Sequence, residues 1–365
     1  MNTEKIMRIA ESFGINCQAP SCCECTTGHI NSTFFIKTCD CDAGQYVFQK
    51  VNTGIFKNPD ELMSNVFKVT EHIRKKLNAE HDTVLKTLEF LKTKNGAYGY
   101  IDEDGQYWRA YRFVDKAHSL DAADSTEILE HSGYAFGNFQ RLLSDFDASV
   151  LYETIPNFHN TVSRLNDLKA AIEGDPAGRK KEIPDDISFV LDREDKCSYI
   201  VDGINAGKFP LRVTHNDTKL NNLLWDDVTD KCVCVIDLDT VMPGSVLYDF
   251  GDAIRFGASS AAEDETDLSK VYMCLDKFEA YVKGFISGTR GALTENELLA
   301  FPMGAYIITL EIGIRFLTDY LNGDIYFRTH YPTHNLDRAR NQFKLVKSME
   351  EQMDEMNKIV LKYVK

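Results

Sequence analysis

Residues 211–257 read LRVTHNDTKLNNLLWDDVTDKCVCVIDLDTVMPGSVLYDFGDAIRFG, and this stretch decides the fold class. LRVTH patterns as a short strand, NDTKLNN as a polar loop, NLLWDD as a second strand, VTDK as a turn and CVCVID as a third strand. The loop opens at the end of one strand and is expected beside the end of another. That arrangement predicts convergence of Asp217 and Asn222, in the loop, with Asp237 at a strand end. Phosphoryl transfer from a nucleoside triphosphate needs this set. A carboxylate must accept the proton of an attacking hydroxyl, and hard oxygen ligands must hold Mg²⁺ against the phosphates. Asp217 reads as the base, with Asn222 and Asp237 as the Mg²⁺ ligands. His215 opens the loop. An isolated HND is common in loops, whereas H-N-D-x-x-x-x-N followed by I-D-x-D is much rarer.

Working outward, the preceding part of the chain alternates differently from the following part. INSTFFIKTC (30–39) and QYVFQKVN (45–52) are β-branched and aromatic, joined by the turn-like CDCDAG. PDELMSNVFKVTEHIRKKL then repeats Leu62, Val66, Val69, Ile73 and Leu77 on one helical face, with proline near its start. AYGYIDE and QYWRAYRFV follow, separated by the hairpin signal Asp104-Gly105. Residues 1–115 thus form a small α+β unit, expected to bind the nucleotide. Residues 116–365 read as mainly helical and are expected to hold the catalytic and substrate residues. Helical periodicity covers roughly 127–144, 162–174, 185–204, 265–287, 294–321 and 336–363.

Composition narrows the function class. The chain has 365 residues, long enough for two lobes with their own cores, and its 43% hydrophobic content is that of a globular protein. A net charge of −15 repels nucleic acid and anionic lipid, so neither is an expected partner. No apolar run is read as long enough to span a membrane, and MNTEKIMRIAESFG is an amphipathic helix without the apolar centre of a signal peptide. A cytoplasmic location, with reduced thiols, is the expectation. Cys22 and Cys25 make a C-x-x-C beside Cys39 and Cys41, a poor spacing for zinc, so small buried or surface thiols are the expected reading. Cys232 and Cys234 read as one face of a strand. Asp249, at the head of a helix, reads first as its cap and otherwise as a brace for the catalytic loop, and Asp252 as a support behind the loop. Asp239 reads equally as a second metal ligand or a substrate contact.

His215, Asp217 and Asn222, with Ile236, Asp237 and Asp239, resemble the H-x-D-x-x-x-x-N and I-D-x-D/E motifs of the aminoglycoside phosphotransferase and choline kinase superfamily, which has a bilobal α+β, protein-kinase-like fold. Within it the sequence bears a closer resemblance to the N-acetylhexosamine 1-kinases, along GHINSTFF near 28, FGNFQRLLSDFDAS from 136, LRVTHNDTKLNN from 211, VIDLDTVMPGSVLYDFGDAIRFGAS from 235 and IRFLTDYLNGDIYF from 314. The resemblance implies ATP as co-substrate, Mg²⁺ as cofactor and the anomeric hydroxyl of a hexosamine as acceptor. It implies His29, Asn31, Asp217, Phe256, Arg315 and Tyr326 as sugar-binding residues. Ser32, Thr33, Gln49, Phe113 and Asp115 are the expected nucleotide contacts. A monomer or weak homodimer is expected. Choline, homoserine, methylthioribose and aminoglycosides are alternative acceptors on the same fold, and a catalytically silent nucleotide-binding protein is a further alternative. Arg315, Tyr326 and Arg328 suit a neutral sugar better than a cationic antibiotic. Two features depart from the protein-kinase pattern. TTGHINSTF has one glycine where a glycine-rich loop is usual, and either Gln49 or Lys50 could stand where the third strand normally carries its lysine. Arg315 could also pair with Glu311 or Asp319.

Overall fold

The computed structural model describes residues 3–16, 21–25, 31–38 and 44–364. Two compact units are present. One comprises Met1–His118, Ser149–Ile155 and Leu224–Met242, and the other Ser119–Ala148, Pro156–Leu223 and Pro243–Lys365.

In the first unit, helix α1 (Thr3–Ser12) precedes strands β1 (Ser21–Cys25), β2 (Ser32–Lys37) and β3 (Gln45–Lys50). Helix α2 (Pro59–Ala79) follows, then β4 (Phe90–Leu91), β5 (Tyr100–Ile101) and β6 (Tyr107–Arg112). The strands form one antiparallel sheet in the order β1-β2-β3-β6-β4, with β5 paired to β6. The expected hairpin at Asp104-Gly105 is present, with Gly105 at φ +73° and the Asp102 carboxylate accepting from the Asp104 and Gln106 N–H groups. Phe34, Ile36, Phe48, Trp108 and Ala110 share one sheet face and are buried with Ile6, Ile9 and Phe13 on and just after α1. Strand alternation sends Gln49 and Arg109 to the opposite face, where Arg109 lies against Met63 of α2. A second sheet joins β7 (Ala117–His118), β9 (Leu223–Asp226) and β10 (Cys232–Val235) in the order β10-β9-β7. Cys234 is buried and Cys232 half-buried, the shared strand face read from the sequence, and burial pushes the Cys232 thiol up to about 12. Cys22 and Cys23 are exposed on β1, while Cys39 and Cys41 lie outside the described residues.

The second unit contains β8 (Arg212–Thr214) and helices α3 (Thr126–Leu142), α4 (Thr161–Gly174), α5 (Pro184–Leu191) and α6 (Tyr199–Asn205). After β11 (Met242–Gly244) come α7 (Val246–Gly257), α8 (Leu275–Thr289), α9 (Glu295–Leu299), α10 (Phe301–Leu321) and α11 (His334–Tyr363). Three expected helices are interrupted. The 185–204 pattern splits into α5 and α6 around a 3₁₀ turn at Glu194–Lys196, where Arg193 and Lys196 reach Glu350 of α11. The 265–287 pattern becomes helical only at Leu275, after Met273 bridges to Ser259. The 294–321 pattern breaks at Ala300, because Pro302 is tolerated only in a first helical turn.

Helix α10 also corrects the reading of the apolar runs. By length and composition alone it could cross a membrane, yet 83% of its most apolar window is buried inside the protein. It is a core helix. Helices α3 and α8 cross so closely that glycine is required on both. A Cβ on Gly284 would lie 1.9 Å from the Glu130 carbonyl oxygen, and one on Gly137 would lie 2.2 Å from that of Phe285. Backbone carbonyls cannot swing aside as side chains can. Gly284→Ala is expected to destabilise the chain by about 1 to 3 kcal/mol, measured as a lower midpoint of thermal unfolding by circular dichroism.

Candidate active site

The loop 215–222 follows β8, and its backbone is buried although Asp217 must remain available. His215, Asn216 and Thr218 are buried, so their N–H groups need internal acceptors. Helix α7 supplies them. Asp249 accepts from the His215 N–H at 3.0 Å and the Asn216 N–H at 2.8 Å, and Asp252 accepts from the Thr218 N–H at 3.0 Å. Gln140 donates to the same Asp249 carboxylate, and Thr218 Oγ1 donates to the Asp249 carbonyl at 2.6 Å. Of the two expected roles of Asp249, cap and brace, the structure shows the brace. Ser245 is the cap, accepting from the Leu247 N–H, because Asp249 lies a turn further in and faces the loop. Burial pushes the Asp249 carboxyl up, against the pull of His215 and these donors.

Asp217 is held by two neighbours within the loop. Lys219 Nζ lies 2.8 Å from Oδ1, and Asn222 Nδ2 donates to Oδ2 at 3.1 Å and to the Asp217 carbonyl at 2.8 Å. Burial alone would raise the Asp217 carboxyl, but the Lys219 charge, with help from His215 and Asn222, brings it below the usual carboxylate range. Asp217 is therefore ionised and able to accept a proton. Lys219 was not singled out from sequence. Its signal was its place two residues after Asp217, on the same side of the loop.

In the first unit, Asp237 ends the run after β10 in the left-handed conformation, φ +57°, and precedes a 3₁₀ turn at Leu238–Thr240. Such a backbone at a non-glycine residue carries strain that concentrates at functional positions. Asp239, within that turn, is buried and saturated by protein donors. Arg109 Nη1 pairs with Oδ1, and Asn31 Nδ2 donates to Oδ2. The Asn31 oxygen accepts the Asn52 N–H at 2.9 Å. Gln49 accepts from Arg109 Nε at 2.8 Å and donates to Thr33 Oγ1 at 3.0 Å. Of the two candidate third-strand residues, Gln49 therefore faces the aspartates, and Lys50 lies on the other side of the sheet. The buried cation on that face is Arg109 of β6, another residue the sequence reading passed over. Burial opposes its charge, but Asp239, and more weakly Asp237, raise its proton affinity.

The remaining expected residues fall as follows. Ser32 and Thr33 begin β2. Phe113 donates its N–H to Gln45 and meets Phe35 edge-on at 5.7 Å, and Asp115 is exposed in the turn before β7. Phe256 is half-buried in the last turn of α7, 5.5 Å from Lys219 Nζ. Among the described residues Arg315 forms no direct ion pair with either proposed carboxylate, because Glu311 binds His159 and Thr161 while Asp319 accepts the N–H groups of Ile325, Tyr326 and Phe327; Glu311 still attracts it electrostatically. It lies instead by the rings of Phe158, Tyr326 and Phe327 and 3.5 Å from the Tyr326 hydroxyl; burial pushes its guanidinium down. His29 lies outside the described residues.

Oxygen donors suit a hard divalent cation. In the second unit, Asn222 has its amide nitrogen committed to Asp217, which leaves its oxygen to offer. In the first unit, Asp237 carries a carboxylate. No group of three or more His, Cys, Asp or Glu side chains is gathered for a metal among the described residues. Mg²⁺ is commonly held by one or two protein oxygens, with substrate phosphates completing its shell.

Residues 21–271 match the phosphotransferase enzyme family, and the chain belongs to that family. Solved structures of similar fold include a microcompartment-associated aminopropanol kinase, 13% identical, with a TM-score of 0.60 over 98% of this chain and 99% of that one. An amicoumacin kinase in complex with AMP-PNP, Ca²⁺ and Ami is 12% identical, with a TM-score of 0.61 over 96% and 94%. A choline kinase from Cryptosporidium parvum Iowa II is 13% identical, with a TM-score of 0.61 over 97% of each chain. At these identities the likeness is one of fold, and the fold is protein-kinase-like.

Two outcomes are expected. Lys219→Met removes the charge that depresses the Asp217 carboxyl, so the acid limb of a pH profile of kcat/KM should move to higher pH. Arg109→Met leaves Asp239 buried without its cation and should cost about 3 to 5 kcal/mol in chemical denaturation.

Proposed function

We propose that the protein is an ATP-dependent kinase that phosphorylates the anomeric hydroxyl of an N-acetylhexosamine, N-acetylglucosamine or N-acetylgalactosamine, releasing the sugar 1-phosphate and ADP. The reaction type rests on family membership together with one observation: Asp217 is paired with Lys219 and carried on a loop whose His215, Asn216 and Thr218 N–H groups are braced by Asp249 and Asp252. Asp217 accepts the proton of the acceptor hydroxyl as its oxygen attacks the γ-phosphorus. A carboxylate held at low proton affinity is a weak base, which suits a loose transition state in which the proton leaves late. Lys219 keeps Asp217 ionised and offers a cation to the phosphoryl oxygens. Mg²⁺, when bound through Asn222 and Asp237, supplies charge neutralisation on the triphosphate. Ser32, Thr33, Gln49, Phe113 and Asp115 contact the nucleotide in this reading.

The acceptor assignment is supported by Arg315. Among the described residues its guanidinium has aromatic neighbours and a tyrosine hydroxyl and makes no ion pair, Glu311 attracts it, and Arg164 adds like charge. A cationic acceptor such as choline or an aminoglycoside would be repelled there, whereas sugar hydroxyls and an acetamido oxygen can accept its hydrogen bonds. Phe256 and Tyr326 offer ring faces and edges to a pyranose, and His29 and Asn31 complete the proposed sugar contacts.

The test is purified protein with Mg-ATP, an N-acetylhexosamine panel and choline as a cationic control, read by ADP release and phosphorus-coupled NMR of the product. A phosphate on the anomeric carbon is expected. A 6-phosphate would overturn the regiochemistry, and turnover of choline without sugars would overturn the acceptor. Asp217→Asn should lower turnover by roughly 10² to 10⁴ with an unchanged thermal midpoint.

A further inference from the structure

His159 and Glu311 form a buried pair outside the motifs that identify the family chemistry. Glu311 sits mid-way along α10 with its side chain wholly buried, and the His159 side chain is 3% exposed. His159 Nδ1 lies 2.8 Å from Glu311 Oε1, and Thr161 Oγ1 donates to Oε2 at 2.6 Å. The other ring nitrogen, Nε2, lies 3.3 Å from the carbonyl oxygen of Asn216. Burial would raise the Glu311 carboxyl, but His159 first, then Arg315 and Thr161, draw it below the usual range, which favours the acceptor form. A carbonyl oxygen is likewise only an acceptor. A neutral imidazole carries one N–H and can satisfy one of these partners. Satisfying both requires a hydrogen on each nitrogen.

The bond to Asn216 falls on the peptide that orients the base. Asn216 is in the left-handed conformation, φ +65°, with its N–H held by Asp249. Its carbonyl shares a peptide plane with the Asp217 N–H, which donates to His215 Nδ1 at 3.3 Å. His159 thus holds one edge of the plane and His215 the other. Turning that plane would swing the Asp217 carboxylate. We propose that His159, doubly protonated and anchored by Glu311, is a positioning residue that fixes the Asn216–Asp217 peptide and so aims Asp217; the inference rests on Asp217 being the base. The titratable groups against the ring are Glu311 on α10 and Tyr248 on α7; Arg315 on α10 acts on Glu311 and Arg164 on α4 acts on Arg315, while His215 and Asp217 flank the Asn216 residue whose carbonyl the ring meets.

The test begins without any acceptor. Ring nitrogens of ¹⁵N-histidine-labelled full-length protein are observed by NMR at pH 7.5, the His159 signals being those missing in His159→Gln. Two protonated-type nitrogens are expected, and a single unprotonated nitrogen overturns the proposal. The Asp217 backbone amide should shift in His159→Gln, and an unmoved resonance also overturns it. Because His159→Gln strands a buried carboxylate, His159→Gln/Glu311→Gln provides a neutral pair that keeps the fold. On whichever acceptor the wild type phosphorylates, the folded double variant should lose roughly 10- to 100-fold in kcat, as expected for a lost charge-assisted hydrogen bond, with its KM for MgATP little changed. Wild-type kcat in that variant overturns the positioning role. A wild type that turns over no hexosamine overturns the acceptor assignment instead, while the ring and amide signals still decide the clamp.

Discussion

A loop that presents a carboxylate outward while its own backbone is buried must find acceptors for its N–H groups from behind. This constraint organises the second unit. Asp249 and Asp252, three residues apart on one face of α7, are the acceptors, and they account for the N–H groups of His215, Asn216 and Thr218. Neither aspartate is left as an uncompensated charge. Gln140 donates to Asp249, while Arg255 bonds Asp252 and continues to Glu263. Buried charge is tolerated only when it is neutralised and hydrogen-bonded, and here the neutralisation is the support of the loop. The hydrophobic packing of α10 and the close crossing of α3 with α8 provide the frame in which these polar contacts stay dry.

The first unit applies the same rule to a different problem. Its sheet buries apolar residues against α1 on one face, and on the other Arg109, Gln49, Asn31 and Asp239 satisfy one another. Asp239 spends both oxygens on protein donors and so braces the strand end.

Much of this was legible in the chain. The β2–β3 and β5–β6 hairpins, the long α2 and the extent of α3 and α4 followed from alternation, 3.6-residue periodicity and turn chemistry, all local properties. The loop spacing His215, Asp217, Asn222 was legible because the chemistry restricts residue types at short range. Helix interruptions were harder. Ala300 and Pro302 signal a break locally, but the 3₁₀ turn at Glu194–Lys196 accompanies contacts to Glu350, more than 150 positions away. Asp249 looked like a cap because capping is the common use of an aspartate near a helix start. Its true partners lie 33 and 34 residues upstream, where no local pattern points.

The sequence by itself determined the division into a strand-rich front and a helical rear, the order of elements and the identity of the residues around Asp217, because each rests on short-range backbone preference. Only the tertiary structure decided which carboxylates serve as braces, that Gln49 and not Lys50 faces Arg109, that Glu311 and Asp319 bond groups other than Arg315, and that His159 reaches the Asn216 carbonyl. These are questions of who satisfies whom in a low-dielectric interior. They depend on packing between distant segments, and a one-dimensional pattern does not encode that pairing.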